Sequence, residues 1–191
     1  MSLHLSQNPD ADALLDRDPL ALLIAMLLDQ QVPLERAFSA PHDLAQRLGH
    51  DLDARELAGY DPDALAELFS RRPALHRFPG AMARRVQELC RLLVERYDGD
   101  AAAIWRDVPT GAELHRRLTA LPGFGEQKAR IFLALLGKQL GVRPEGWREA
   151  AGPYGEDGVH RSVADIVDEG SLREVRAYKQ QMKAAAKAAK G

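Results

Sequence analysis

The sequence contains one cysteine, Cys90, among 191 residues. A single thiol excludes an internal disulfide and any metal or iron–sulfur site built from several cysteines. On a helix it reads as a small buried hydrophobe. Long apolar runs are missing as well. ALLIAMLL, at 21–28, falls well short of the roughly 18 residues that a membrane span needs. The N-terminus MSLHLSQNPDADALL lacks the basic start and apolar stretch of a signal peptide, so a cytoplasmic protein is expected. Runs of alternating β-branched residues are also wanting, which leaves no case for a sheet.

What is present is a soluble globular composition, 46% apolar and 28% charged, long enough for one domain or two small lobes around a real core. The net charge of −2 hides a strong asymmetry. Residues 1–70 carry 4 basic and 13 acidic side chains (−9), and residues 71–140 carry 13 and 7 (+6). Residues 141–170 carry 3 and 7 (−4), and 171–191 carry 6 and 1 (+5). Positive charge collected in the middle and the tail is the distribution of a nucleic-acid footprint, although solvated helix faces carry such runs too.

Helical periodicity dominates, and the fold class is all-α. DPLALLIAMLLDQQ (18–31) opens on Asp18 and Pro19, a cap and first-turn pair, and is apolar nearly all round, as a central buried helix should be. Short amphipathic helices are expected over 41–49 and 61–70. A long one is expected over 81–100, with Met82, Val86, Leu89, Leu93 and Tyr97 on its apolar face and Gly99 at its end. Helices at 111–121 and 126–141 flank LPGFG. Beyond Gly141 the texture turns to Gly- and Pro-rich loop with a short helix near 146–151. The chain closes on a strong helix former, 171–190, whose Lys/Ala end is expected to fray.

The stretch LTALPGFGEQKARIFLALLG (118–137) interrupts two helices with a proline and two glycines. Proline fixes one φ and glycine permits positive φ, and such a turn can aim backbone N–H groups outward at a helix N-terminus. That arrangement holds phosphate oxygens without reading sequence; its bland alternative is a plain turn between packed helices.

Three segments in order then resemble the helix–hairpin–helix DNA glycosylase superfamily, which includes endonuclease III and the mismatch adenine and helical 3-methyladenine glycosylases. LLIAMLLDQQV (22–32) is similar to the LLxAxLLSxQ helix. PGAMARRVQELCRLLVERYDGD (79–100) is similar to the K-A-x-x-I-x-x-x-C-x-x-L helix, and LTALPGFGEQKA (118–129) matches LxxLPGVGxxTA. The resemblance covers about residues 20–142 and specifies the superfamily, not a substrate. It implies a bilobed helical protein: a six-helix lobe over 20–141 containing the helix–hairpin–helix at 111–137, and a second lobe from 1–19 with 142–191. It implies double-stranded DNA carrying a damaged base as the partner, a monomer near the nucleoid, and a nucleotide rotated out of the bent duplex. Gln31 occupies the place of the motif's DNA-facing glutamine, and Phe78 that of its intercalating apolar residue. Leu121, Gly123 and Gly125 present carbonyls and N–H groups to phosphate, in relatives often through a monovalent cation at the backbone of Leu121 and Gly123. Gln127, Lys128, Arg130, Arg84 and Arg85 lie along the same strand path.

The sequence departs from the family in three places. Relatives with lyase activity carry a lysine as the seventh residue of LPGxGxK; here that position is Gln127 and Lys128 follows it. One residue on a helix turns a side chain by about 100°, so a monofunctional glycosylase is expected. The V-D-x-H-V-x-R string that carries the catalytic aspartate is missing. Counting 18 residues from Gln127 reaches Glu145; an insertion would instead bring Asp157 into register, beside His160 and Arg161, and Asp165 is a third option. The four-cysteine iron–sulfur loop is absent, no cofactor is expected, and the basic tail is a candidate for part of its electrostatic work. Trp147 and Tyr154, in the divergent segment, are the aromatic candidates for stacking on an extruded base, while Trp105 reads as core.

Overall fold

The computed structural model describes residues 2–190, in which every regular element is a helix, with one isolated bridge between Thr110 and Glu145. Its centre is α2 (Pro19–Leu28), in which every residue from Leu20 to Leu28 is buried. Asp18 caps it by accepting from the Leu20 N–H (3.0 Å), and Pro19 fills the first turn, where no N–H is required. The helix stops at Leu28, three residues before its expected end, because the chain turns there and side chains take over the last carbonyls.

Around α2 pack α1 (Pro9–Arg17), α3 (Leu34–Leu48) and α6 (Pro79–Tyr97). Two of these differ from expectation. Helix α1 follows the cap of Asn8 on the Asp10 and Ala11 N–H groups, and its buried Asp12 accepts from the Leu5 and Ser6 N–H groups (3.1 and 2.8 Å). An acid spent on backbone donors does not register as an apolar face. Helix α3 runs straight through Pro41, which the sequence suggested as a start. The proline removes one backbone bond. Burial of Ala37, Phe38, Ala40 and Leu44 holds the helix together across it. Helices α4 (Ala54–Gly59) and α5 (Pro62–Ser70) lie against α6, whose buried Gln87 donates to the carbonyls of Leu57 and Tyr60 (3.0 and 2.7 Å).

The second half is built on α7 (Gly111–Thr119) and α8 (Glu126–Leu140). These pack with α9 (Trp147–Ala151) and with 3₁₀ turns at Gly152–Gly155 and Val163–Asp165. Packing therefore groups the helix–hairpin–helix with 142–165, and groups α1 with α2 and α3. The last helix, α10 (Glu169–Lys190), is anchored by buried Leu172 and Val175 and stays helical to Lys190.

Candidate nucleic-acid interface

The two glycines of LPGFG have different physical reasons. Leu121 and Phe124 are buried and pin the turn to the core, and the Phe124 N–H donates to the Leu121 carbonyl (3.1 Å). Gly123 has φ +80°, and a Cβ there would stand 2.2 Å from Leu27 Cδ1, so the fold itself demands glycine. Gly125 has φ −79° and ψ 180°, ordinary extended backbone, and a Cβ there would meet nothing within 4 Å. Neither conformation nor packing requires glycine at 125. The missing side chain leaves an open approach to the N-terminus of α8, where no side chain caps the first N–H groups. Glu126, in that first turn, is neutralised by Arg130 (2.6 Å).

Against this turn sits the C-terminus of α2, whose carbonyls are held by side chains from remote parts of the chain. Lys128 Nζ donates to the Leu27 carbonyl (3.1 Å), which also accepts from Gln30 Nε2 (2.8 Å). His76 Nε2 meets the carbonyls of Leu28 (3.1 Å) and Gln30 (2.9 Å), while its Nδ1 accepts from the Phe78 N–H (3.0 Å). Those partners assign the neutral ring with the proton on Nε2, in keeping with burial pushing its pKa down. Arg85 Nη1 donates to Gln30 Oε1 (3.0 Å). The consequence is a pair of presented residues. Gln31, exposed and in left-handed backbone (φ 58°), and Phe78, 41% exposed at the head of α6 with the Arg77 guanidinium 5.3 Å from its ring, are joined through His76. Arg84 lies exposed beside Arg85 on α6.

Titration is perturbed at this junction. Burial drives the Lys128 ammonium down to about 8, with Arg85 adding to the fall and Asp29 opposing it. Burial raises the Asp29 carboxyl, against the charges of Lys179 and Lys128. Lys128 thus points into the junction and not along the strand path expected of it. Asp29, Gln30 and His76 escaped the sequence reading. The signal was an acid–amide pair closing an apolar helix, and a histidine two residues before Phe78.

The divergent segment is arranged differently. The Glu145 side chain is exposed, and its backbone carbonyl accepts from the Gly111 N–H (2.8 Å) at the start of α7. That is the end of α7 away from the turn, about 13 Å along the helix. Asp157 is exposed, pairs with Arg148 (3.0 Å) and borders a cavity with Lys138 and Gln139, late in α8. Asp165 is enclosed, bonded to Lys138 Nζ (2.6 Å) and the Arg161 N–H (2.9 Å), and it completes the capping box of its own turn with Ser162. Glu145 thus lies at the start of α7 and Asp157 late along α8. The carboxylates nearer the LPGFG turn are Glu126, which follows it and pairs with Arg130, and Asp29, whose carboxyl feels the Lys128 charge.

Trp147 is a core residue. A Cβ on Gly137 would lie 2.4 Å from its ring, and the guanidiniums of Arg143 and Arg148 stand 5.6 and 4.5 Å from the ring centroid. Tyr154 lies against the first turn of α8, accepting at its hydroxyl from Gln127 Nε2 (3.0 Å). Trp105 is half-buried and packs edge-on against the core residue Phe132 (5.7 Å).

Among the described residues no group of three or more His, Cys, Asp or Glu side chains is placed to hold a metal ion. No described helix is long and apolar enough to cross a membrane. One cysteine cannot ligate a four-cysteine cluster. A family model described as "HhH-GPD superfamily base excision DNA repair protein" matches residues 24–190. No curated protein matches the chain.

Proposed function

Because the chain belongs to the HhH-GPD superfamily of base excision DNA repair proteins, we propose that it is a monofunctional DNA glycosylase. It binds duplex DNA at the LPGFG turn, extrudes a damaged nucleotide, and hydrolyses the N-glycosidic bond. Water supplies the oxygen at the sugar C1′, the base departs with the glycosidic electron pair and gains a proton, and an abasic site remains. The observation that carries the reading is Gly125: a glycine that the fold does not need, at an uncapped helix N-terminus, beside the family hairpin. Phosphate oxygens fill that opening by accepting the first N–H groups of α8, and a monovalent cation at the backbone of Leu121 and Gly123 would assist.

Gln31 and Phe78 would enter the space left by the extruded base, and Tyr154 would lie beside it. Lyase chemistry needs a free amine at C1′. The Lys128 amine is turned onto the Leu27 carbonyl, which supports simple hydrolysis. The carboxylate that stabilises positive charge on the sugar is drawn from Glu145, Asp157 and, by its position, Asp29. A second reading, a DNA-binding protein of this fold without catalysis, is favoured by the distance of Glu145 and Asp157 from the turn.

The test is base release from duplexes that each carry one lesion, with and without alkali. Strand cleavage after alkali alone identifies a monofunctional glycosylase and its lesion. Glu145→Gln, Asp157→Asn and Asp29→Asn then assign the carboxylate. Salt-sensitive binding without any release supports the second reading, and cleavage without alkali overturns the monofunctional assignment.

A further inference from the structure

The last helix carries a feature that the hairpin does not explain. Its basic residues are Arg173, Arg176, Lys179, Lys183, Lys187 and Lys190, and no acid follows Glu174. At about 100° per residue these six fall within a sector of about 120°, so from Arg173 onward one face of α10 is of a single sign. The first turns are anchored through buried Leu172 and Val175. The Glu174 carboxylate meets His160 Nδ1 (2.7 Å). From Lys179 to Lys190 every residue is exposed. That part of the helix projects about 18 Å.

The point of departure matters as much as the charge. Arg176 pairs with Glu35, and Lys179 is close enough to Asp29 to lower its carboxyl against the effect of burial. Glu35 and Asp29 flank Gln31 in the loop between α2 and α3. The basic face therefore leaves the body beside the loop that presents Gln31.

We propose that the 179–190 part of α10 is a second contact to the phosphate backbone of the same duplex, an arm set beside the hairpin grip. The inference rests on the DNA partner proposed above. Lysines at four-residue steps advance about 6 Å along the helix. This matches roughly every second phosphate along the rise of one strand. The opposite face is alanine with glutamine and one exposed methionine, Met182, which gives little apolar area to sink into a lipid surface. A polyanion with closely spaced charges and no demand for apolar burial is the occupant this face fits.

The experiment follows fluorescence anisotropy of a labelled, undamaged duplex as salt rises from about 50 to 200 mM, comparing the full chain with the Lys183→Gln/Lys187→Gln/Lys190→Gln variant. Three lost contacts should flatten the slope of log affinity against log salt by about 2 to 3. The Lys→Arg triple variant should keep the full slope. All three side chains are exposed, so the melting temperature of the glutamine variant should match that of the parent. Binding retained with an unchanged slope in the glutamine variant overturns the arm and leaves the hairpin reading standing. A full chain that binds no duplex overturns both. A full chain that binds phosphatidylserine vesicles through these lysines, with the duplex slope unaffected, replaces the arm with a membrane contact.

Discussion

The junction between the end of α2 and the hairpin, and the segment from 142 to 168, both contain polar and charged groups but use them in opposite ways. In the segment, ionised side chains are satisfied by near neighbours: Asp157 by Arg148, Arg161 by Glu156, and Asp165 by its own capping box together with Lys138. At the junction, backbone carbonyls are held by side chains 46 to 101 positions away, a glutamine sits in left-handed backbone, and burial moves Lys128, Asp29 and His76 from their ordinary titration ranges. Locally closed pairs build a scaffold. Strain and shifted titration, gathered beside an open helix terminus, are where chemistry on a ligand is to be sought.

The largest expected effect tests the scaffold side of that contrast. Trp147→Ala removes a buried ring packed on Gly137 and should cost about 3 to 5 kcal/mol of stability, read from denaturant midpoints. Next is Gly123→Ala, where positive φ and the collision with Leu27 together should cost about 2 to 4 kcal/mol. Its neighbour sharpens the comparison. Gly125→Ala should change stability by less than about 1 kcal/mol, since a weaker N-cap and a less flexible unfolded chain oppose each other. It should nonetheless weaken duplex affinity by about tenfold in a binding titration, because the methyl group obstructs a charge-assisted contact. Equal behaviour of the two glycine variants would erase the distinction between them.

A smaller effect concerns Lys128. Its folded value of about 8 lies below the ordinary 10.5, so between these values the unfolded chain binds more protons. Stability should therefore climb as pH rises from about 8 towards 10.5, by at most about 3 kcal/mol. The Lys128→Met variant should lack that climb when both proteins are unfolded by urea across the range. The smallest effect is at Asp157, where Asp157→Asn loses one exposed pair and should leave the melting temperature unchanged.

Much of the architecture was legible because it rests on local signals. The cap and proline of α2, the apolar face of α6 and the LPGFG turn each declare themselves within a few residues. Helix α3 was not, because a proline inside a helix reads as a boundary when its buried neighbours cannot be seen. The junction was illegible for a related reason: His76 and Lys128 take their roles from carbonyls that only the folded chain brings near. Glu145 and Asp157 were chosen by counting along the chain. Counting cannot foresee that Glu145 would dock at the start of α7 and Asp157 late in α8, while Tyr154, between them, returns to Gln127 beside the turn.

The clamp on the α2 terminus has a mechanical meaning. Lys128 ties the hairpin to Leu27, and His76 ties the Gln30 carbonyl to the head of α6, so the segments that carry Gly125, Gln31 and Phe78 are hydrogen-bonded to one another. On the proposed function, the spacing between the Gly125 opening and the Gln31–Phe78 pair would act as a built-in gauge. A duplex would have to deform to meet it, and one already weakened by a lesion would yield at the least cost.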